Sequence, residues 1–250
     1  MTTSVMRDTE VASPIAIGEL VAAIQSLYGD ALRTVVQFGS AVAGELLSGQ
    51  SDTNLLIIVD SVPLSALLHN AEAVQKWTAA GHPAPLLLTL EEWRSSSDIF
   101  AMEYADILHR HKVLFGDAPF EGVSVSANNL RLHVEREAMG KLLQLRRAVM
   151  AVGNDPKMQL RLLLNGLSTL MVIFRGVSRV AGDSPPTDYV RLSQNVATHA
   201  GFDARPFERL VQHARRDVQI PVAEVTTVLT GVLDAMGRLV AYLNRAGGSA

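Results

Sequence analysis

Two patterns of apolar residues divide the chain. In the first 116 residues, short apolar runs rich in β-branched side chains alternate with segments whose apolar residues recur every three or four positions. Short apolar runs are typical of buried strands, and the longer spacing is typical of amphipathic helices. After residue 126 only the helical spacing remains. The order predicts an α/β domain over residues 14–118, followed by an all-α helical bundle domain over residues 127–246.

The first domain is predicted to contain four strands and the helices that connect them. Its strands are 33–38, 54–59, 85–90 and 112–115, and its helices are 15–27, 41–47, 65–80 and 98–110. Residues 117–126 read as a linker. In the second domain, the first bundle helix has residues 138, 142, 145 and 149 on one face, and further helices are predicted near 158–181, 188–200, 204–216 and 221–244. The segment 158–181 is apolar nearly all round, which is typical of the central helix of a bundle.

Composition narrows the classes of function. Of the 250 residues, 48% are hydrophobic and 19% charged, and the net charge is −3, so no overall basic field predicts binding to nucleic acid. The chain has no cysteine, which excludes disulfides and thiolate metal sites and fits a cytoplasmic protein. The apolar stretch 162–174 is shorter than the roughly 20 residues that a membrane span needs, so we predict a core helix and no membrane partner.

The candidate chemistry lies between residues 35 and 59. Gly39 and Ser40 follow a predicted strand and precede a predicted helix, and eleven residues separate Ser40 from Asp52. Backbone N–H groups at such a turn favour phosphate oxygens, and glycine allows the ligand to approach closely. Asp52 and Asn54 stand at the start of the next strand, where alternating side chains would point to the same face.

This arrangement resembles the signature of the nucleotidyltransferase superfamily, which includes kanamycin nucleotidyltransferase and DNA polymerase β. The resemblance implies the nucleotidyltransferase fold, with a small mixed sheet, flanking helices and a helical C-terminal domain. It also implies transfer of a nucleoside monophosphate from a nucleoside triphosphate to a hydroxyl acceptor with Mg²⁺. Gly39 and Ser40 would then bind the nucleotide, while Asp52 and Asn54 would be the catalytic residues and metal ligands.

The sequence departs from that signature at three positions. The second acid is replaced by Asn54, and Ala43 stands where many relatives carry a basic residue. The predicted third strand carries no acid, so Glu91 or Glu92 would serve only if the strand register placed one near Asp52. Two alternatives therefore stay open beside the enzyme: a catalytically inactive nucleotide-binding protein, and a module that binds a partner, or a second copy as a homodimer, through its helices.

Two further groups of polar residues have an ordinary interpretation. His109 and His111 lie in a charged segment that we expect to form a solvated helix end. Five basic residues give the first bundle helix a cationic face: Arg131, Arg136, Lys141, Arg146 and Arg147. Pairing with Glu135 and Glu137 would make this a solvated face. The alternative is that it contacts a triphosphate or an acidic substrate.

Overall fold

The computed structural model describes residues 15–39, 42 and 53–247. These residues form four β-strands and nine α-helices. The strands are β1 (Leu32–Phe38), β2 (Asn54–Val59), β3 (Leu86–Thr89) and β4 (His111–Gly116). The helices are α1 (Ile17–Tyr28), α2 (Leu64–Ala79), α3 (Leu90–Ser95), α4 (Ala101–His109), α5 (Ala127–Val152), α6 (Pro156–Val180), α7 (Tyr189–Ala200), α8 (Arg205–Ala214) and α9 (Val225–Gly247).

The described residues divide into two compact units by their internal contacts. The sheet unit contains residues 15–39, 42, 53–95 and 111–121, and the helical unit contains residues 96–110 and 122–247. The helix α4 therefore groups with the helical unit, although its sequence lies between two strands of the sheet. The limits of 14–118 and 127–246 for two independent domains stay a prediction.

The sheet unit is built on a small mixed sheet in the order β3-β2-β1-β4. β1 is antiparallel to both of its neighbours, and β2 is parallel to β3. One face of the sheet packs on α1 and α2, with Leu20, Ile24 and Trp77 fully buried. The Trp77 indole N–H donates to the Pro83 carbonyl at 2.9 Å, so its burial leaves no donor unpaired.

The third strand is shorter than the sequence predicted. It ends at Thr89, and α3 begins at Leu90, where we had expected the strand to continue. Thr89 and Glu92 cap this helix reciprocally, because the Thr89 N–H donates to the Glu92 carboxylate at 2.7 Å and the Glu92 N–H donates to the Thr89 hydroxyl at 3.2 Å. The helix contacts β2 and β3, and its Trp93 side chain is fully buried.

The helical unit is organised around α6. Asp155 caps this helix by accepting hydrogen bonds from the N–H groups of Lys157 and Met158, and Pro156 occupies the first turn. The helix packs against α5, α7, α8 and α9. By length and composition α6 could cross a membrane, but 56% of its most apolar window is buried inside the protein. It is the core helix that the sequence predicted.

Candidate functional site

The turn after β1 brings Gly39 and Asn54 together. In the antiparallel pair of β1 and β2, Phe38 is the partner of Asn54, so Gly39 follows directly beyond the start of β2. Gly39 is buried and has φ +86°, a region that residues with a Cβ rarely adopt. A Cβ added there would lie 3.0 Å from Asn54 Nδ2. The glycine therefore provides both the backbone turn and the space for the Asn54 carboxamide.

The other two predicted site residues, Ser40 and Asp52, lie outside the described residues. Asp52 precedes Asn54 by two positions in the sequence, and Ser40 follows Gly39 directly. The Val42 N–H donates to the Gly39 carbonyl at 3.2 Å. The structure thus brings together Gly39 and Asn54, one from each half of the predicted motif.

A histidine that the sequence interpretation missed supports this edge of the sheet. His82 Nδ1 accepts a hydrogen bond from the Thr53 N–H at 3.3 Å, and the ring stacks on Trp77 with centroids 4.1 Å apart. Thr53 directly precedes Asn54. Because Trp77 belongs to the face covered by α1 and α2, His82 holds the start of β2 from that side. This hydrogen bond fixes the backbone immediately before Asn54.

Asn54 lies on the face of the sheet that points away from α1 and α2. Directly paired residues of neighbouring strands share a face, and Phe38 is paired with both Asn54 of β2 and His111 of β4. His111 begins β4 and packs on Phe120 with ring centroids 4.1 Å apart. His109 is exposed at the end of α4, as expected for a solvated helix end, whereas His111 belongs to the sheet.

The register of β3 excludes Glu91 and Glu92 as neighbours of Asn54. β2 and β3 run parallel, with Val59 paired to Thr89. Both glutamates follow Thr89, at the end of the sheet opposite Asn54, about 17 Å away along the strand direction. The β3 positions on the Asn54 face are Leu86 and Leu88, which offer no ligand.

Among the described residues, no group of three histidine or acidic side chains is arranged to hold a metal ion. Asn54 does fit as one neutral oxygen ligand. Its carboxamide group lies beside Gly39 at the turn. A carboxamide oxygen is an accepted ligand for hard divalent cations, although it adds no charge.

The basic face of α5 contains the predicted pairing. Arg131 donates to Glu135 one turn further on at 2.7 Å, and Arg136 lies 3.3 Å from Glu137. Arg146 and Arg147 are exposed. The Arg131–Glu135 pair is largely buried, with side chains 17% and 29% exposed, whereas the Arg136–Glu137 pair is exposed, so only part of this face is solvated.

Comparison with known proteins supports the fold. No protein-family model matches the sequence, and no curated protein gives a significant match. Among solved structures, spectinomycin adenyltransferase AAD(9) from Enterococcus faecialis, solved with ATP and spectinomycin, matches with a TM-score of 0.55 and 11% identity. The match covers 88% of this chain and 98% of that chain. The chain has the nucleotidyltransferase fold, with a small mixed sheet and a helical C-terminal half, as the sequence predicted.

Proposed function

We propose that this protein binds a nucleoside triphosphate at the edge of the sheet formed by Gly39 and Asn54, and transfers the nucleoside monophosphate to a hydroxyl acceptor with release of pyrophosphate and of the hydroxyl proton. The observation that carries the proposal is the approach of the Asn54 carboxamide to Gly39 at the end of β1. The fold is shared with an adenyltransferase that was solved with ATP. A cytoplasmic location would agree with the lack of cysteine.

Each residue of the edge has a proposed role. The backbone at Gly39 and the Ser40 hydroxyl would hold phosphate oxygens, because backbone N–H groups at a turn between a strand and a helix favour negative charge. Asp52 and Asn54 would hold Mg²⁺, and His82 would fix the backbone between them through the Thr53 N–H. Bound Mg²⁺ would neutralise charge that develops on the triphosphate. Catalysis would then rest on positioning and electrostatic stabilisation.

A second candidate function is nucleotide binding without transfer. The observation that favours it is the apolar face of β3, where Leu86 and Leu88 stand beside β2 and no carboxylate is offered. A site with one carboxylate and one carboxamide would bind the metal more weakly than a site with three carboxylates, since Asn54 contributes no charge. Phosphate binding at the turn of Gly39 and Ser40 would not depend on the missing third carboxylate.

The two candidates are separated by measuring transfer and binding on the same preparation. Each α-³²P-labelled nucleoside triphosphate would be incubated with Mg²⁺ and a panel of hydroxyl acceptors, with spectinomycin as the first probe because the structural neighbour was solved with it. We expect a labelled product that Asp52→Ala abolishes and Asn54→Asp increases. Binding without any product supports the second candidate. If neither is detected, both proposals are wrong.

A further inference from the structure

The helical unit contains a buried group of charges that the proposed function does not use. Asp106 of α4 is 8% exposed and accepts hydrogen bonds from two arginines of α6. Arg175 Nη2 lies 2.8 Å from Asp106 Oδ2, and Arg179 Nη1 lies 2.6 Å from Asp106 Oδ1. One carboxylate is thus shared by two guanidinium groups. A shared carboxylate compensates the charge of each partner only in part.

Arg179 is the member of this group that lines an open surface pocket. It lines a pocket of about 420 Å³ together with His109 of α4 and the segment 182–185 that follows α6. Its Nη2 atom is buried, and no hydrogen-bond partner for it occurs among the described residues. A buried, charged donor without an acceptor is costly, so a ligand that supplies an oxygen here would be stabilised.

Like charges act on Arg179, the arginine that lines the pocket. Burial lowers the pKa of Arg179 from its ordinary value, Asp106 opposes that shift, and the charges of Arg175 and Arg110 add to it. Burial also lowers the pKa of His109, and the charges of Arg179 and Arg110 contribute in the same direction. Arg175 and Arg110 therefore act as like charges on Arg179, and Asp106 is their counter-charge. An anion placed there would relieve their mutual repulsion.

One acidic residue, Asp183, also lines the pocket. Its carboxylate is held by His199 Nε2 and by Asn195 Nδ2, each at 2.7 Å. Neither partner lines the pocket. Arg110 donates to the Pro185 carbonyl at 2.9 Å, which ties the segment 182–185 to the end of α4. The segment 182–185 of the pocket is therefore held in place by side-chain hydrogen bonds.

We propose that this pocket binds the phosphate group of a small molecule. The planar guanidinium of Arg179 suits the oxygens of a phosphate, and a phosphate monoester carries close to two negative charges at neutral pH. All residues that line the pocket belong to the helical unit, so the proposal goes beyond the nucleotide site at Gly39 and Asn54.

The test uses inorganic phosphate as the probe and the His109 ring signals as a local readout. The full-length protein is titrated with phosphate at constant ionic strength, and the ¹H–¹³C NMR signals of His109 are assigned with His109→Gln. Ser184→Asp adds a carboxylate at an exposed position of the pocket without touching the Asp106 group. Arg179→Gln removes the guanidinium group and its charge. Arg161→Gln removes the same charge from an exposed position of the same helix and is the matched control.

We expect saturable shifts of the His109 signals in the wild type, in Arg161→Gln and in Asp52→Ala. The phosphate affinity should fall about tenfold or more in both pocket variants. The proposal is overturned if the wild type shows no saturable shift, if Ser184→Asp binds phosphate as tightly as the wild type, or if acetate binds as well as phosphate. Because Asp52→Ala tests the nucleotide site separately, failure of one proposal is distinguishable from failure of the other.

Discussion

Asn54 Nδ2 lies 3.0 Å from the position that a Cβ of Gly39 would occupy, and Gly39 adopts φ +86°. Gly39→Ala would therefore strain the backbone and push the Asn54 carboxamide away. We expect a loss of about 1–2 kcal/mol in the free energy of unfolding, measured by urea denaturation. Nucleoside triphosphate affinity should fall as well.

The matched control for that change is Gly18→Ala in α1. A Cβ there meets no atom within 4 Å, and the residue is exposed in a helix. This variant should be neutral or stabilised by up to about 1 kcal/mol, because alanine favours the helix. Equal effects of the two substitutions would contradict the importance of the Gly39 turn.

His82 offers a test of positioning at the same edge. Its Nδ1 accepts the Thr53 N–H at 3.3 Å. His82→Ala removes this acceptor, and we expect nucleoside triphosphate binding to weaken about tenfold while the protein stays folded. His82→Asn places a carboxamide oxygen near the same point and should recover part of the affinity. If neither variant changes the affinity measured by calorimetry, His82 has only a packing role on Trp77.

Asp106 should be among the most sensitive positions of the helical unit. Asp106→Asn would leave Arg175 and Arg179 without their shared carboxylate in a buried environment. We expect the free energy of unfolding to fall by about 3–5 kcal/mol in chemical denaturation. Asp234→Asn disrupts an exposed pair with Arg238 and should cost less than about 1 kcal/mol. Similar losses in both variants would show that the buried group is not a special source of stability.

The same carboxylate predicts a dependence of stability on pH. Burial alone would raise the pKa of Asp106, but the charges and hydrogen bonds of Arg175 and Arg179 hold it below its ordinary value of 3.8. A carboxyl whose pKa is lower in the folded state contributes stability that is present above its unfolded pKa and is lost as the pH falls further. Below about pH 4, the wild type should therefore lose more stability than Asp106→Asn does. Parallel pH profiles of the two proteins would contradict this assignment.

The sequence predicted the features of the fold that depend on local patterns. The apolar spacing of α6 and the strand before Gly39 are visible in the chain itself. The end of β3 was not, because Leu90 continues an apolar run and the capping contact between Thr89 and Glu92 is not evident from that run. The parallel register of β2 and β3, which separates Glu91 from Asn54, depends on pairing between distant segments.

The residues that sequence reasoning missed act through contacts between distant parts of the chain. His82 meets Thr53 across 29 positions, and Asp106 meets Arg175 across 69. No local spacing signals either pair. One sign of the second pair was available in the sequence. Asp106 lies on the buried face of the predicted helix 98–110, and a buried carboxylate needs a compensating charge.

The most direct test of the nucleotide site is calorimetric titration of the four nucleoside triphosphates, with and without Mg²⁺. The proteins compared are the wild type, Asp52→Ala, Asn54→Asp and, as the control at the opposite end of the sheet, Glu91→Gln. We predict that one nucleotide binds in a Mg²⁺-dependent way, that Asp52→Ala abolishes binding, and that Asn54→Asp strengthens it about tenfold. Glu91→Gln should bind like the wild type. Binding that ignores both Mg²⁺ and Asp52, or no binding at all, would contradict the proposed site.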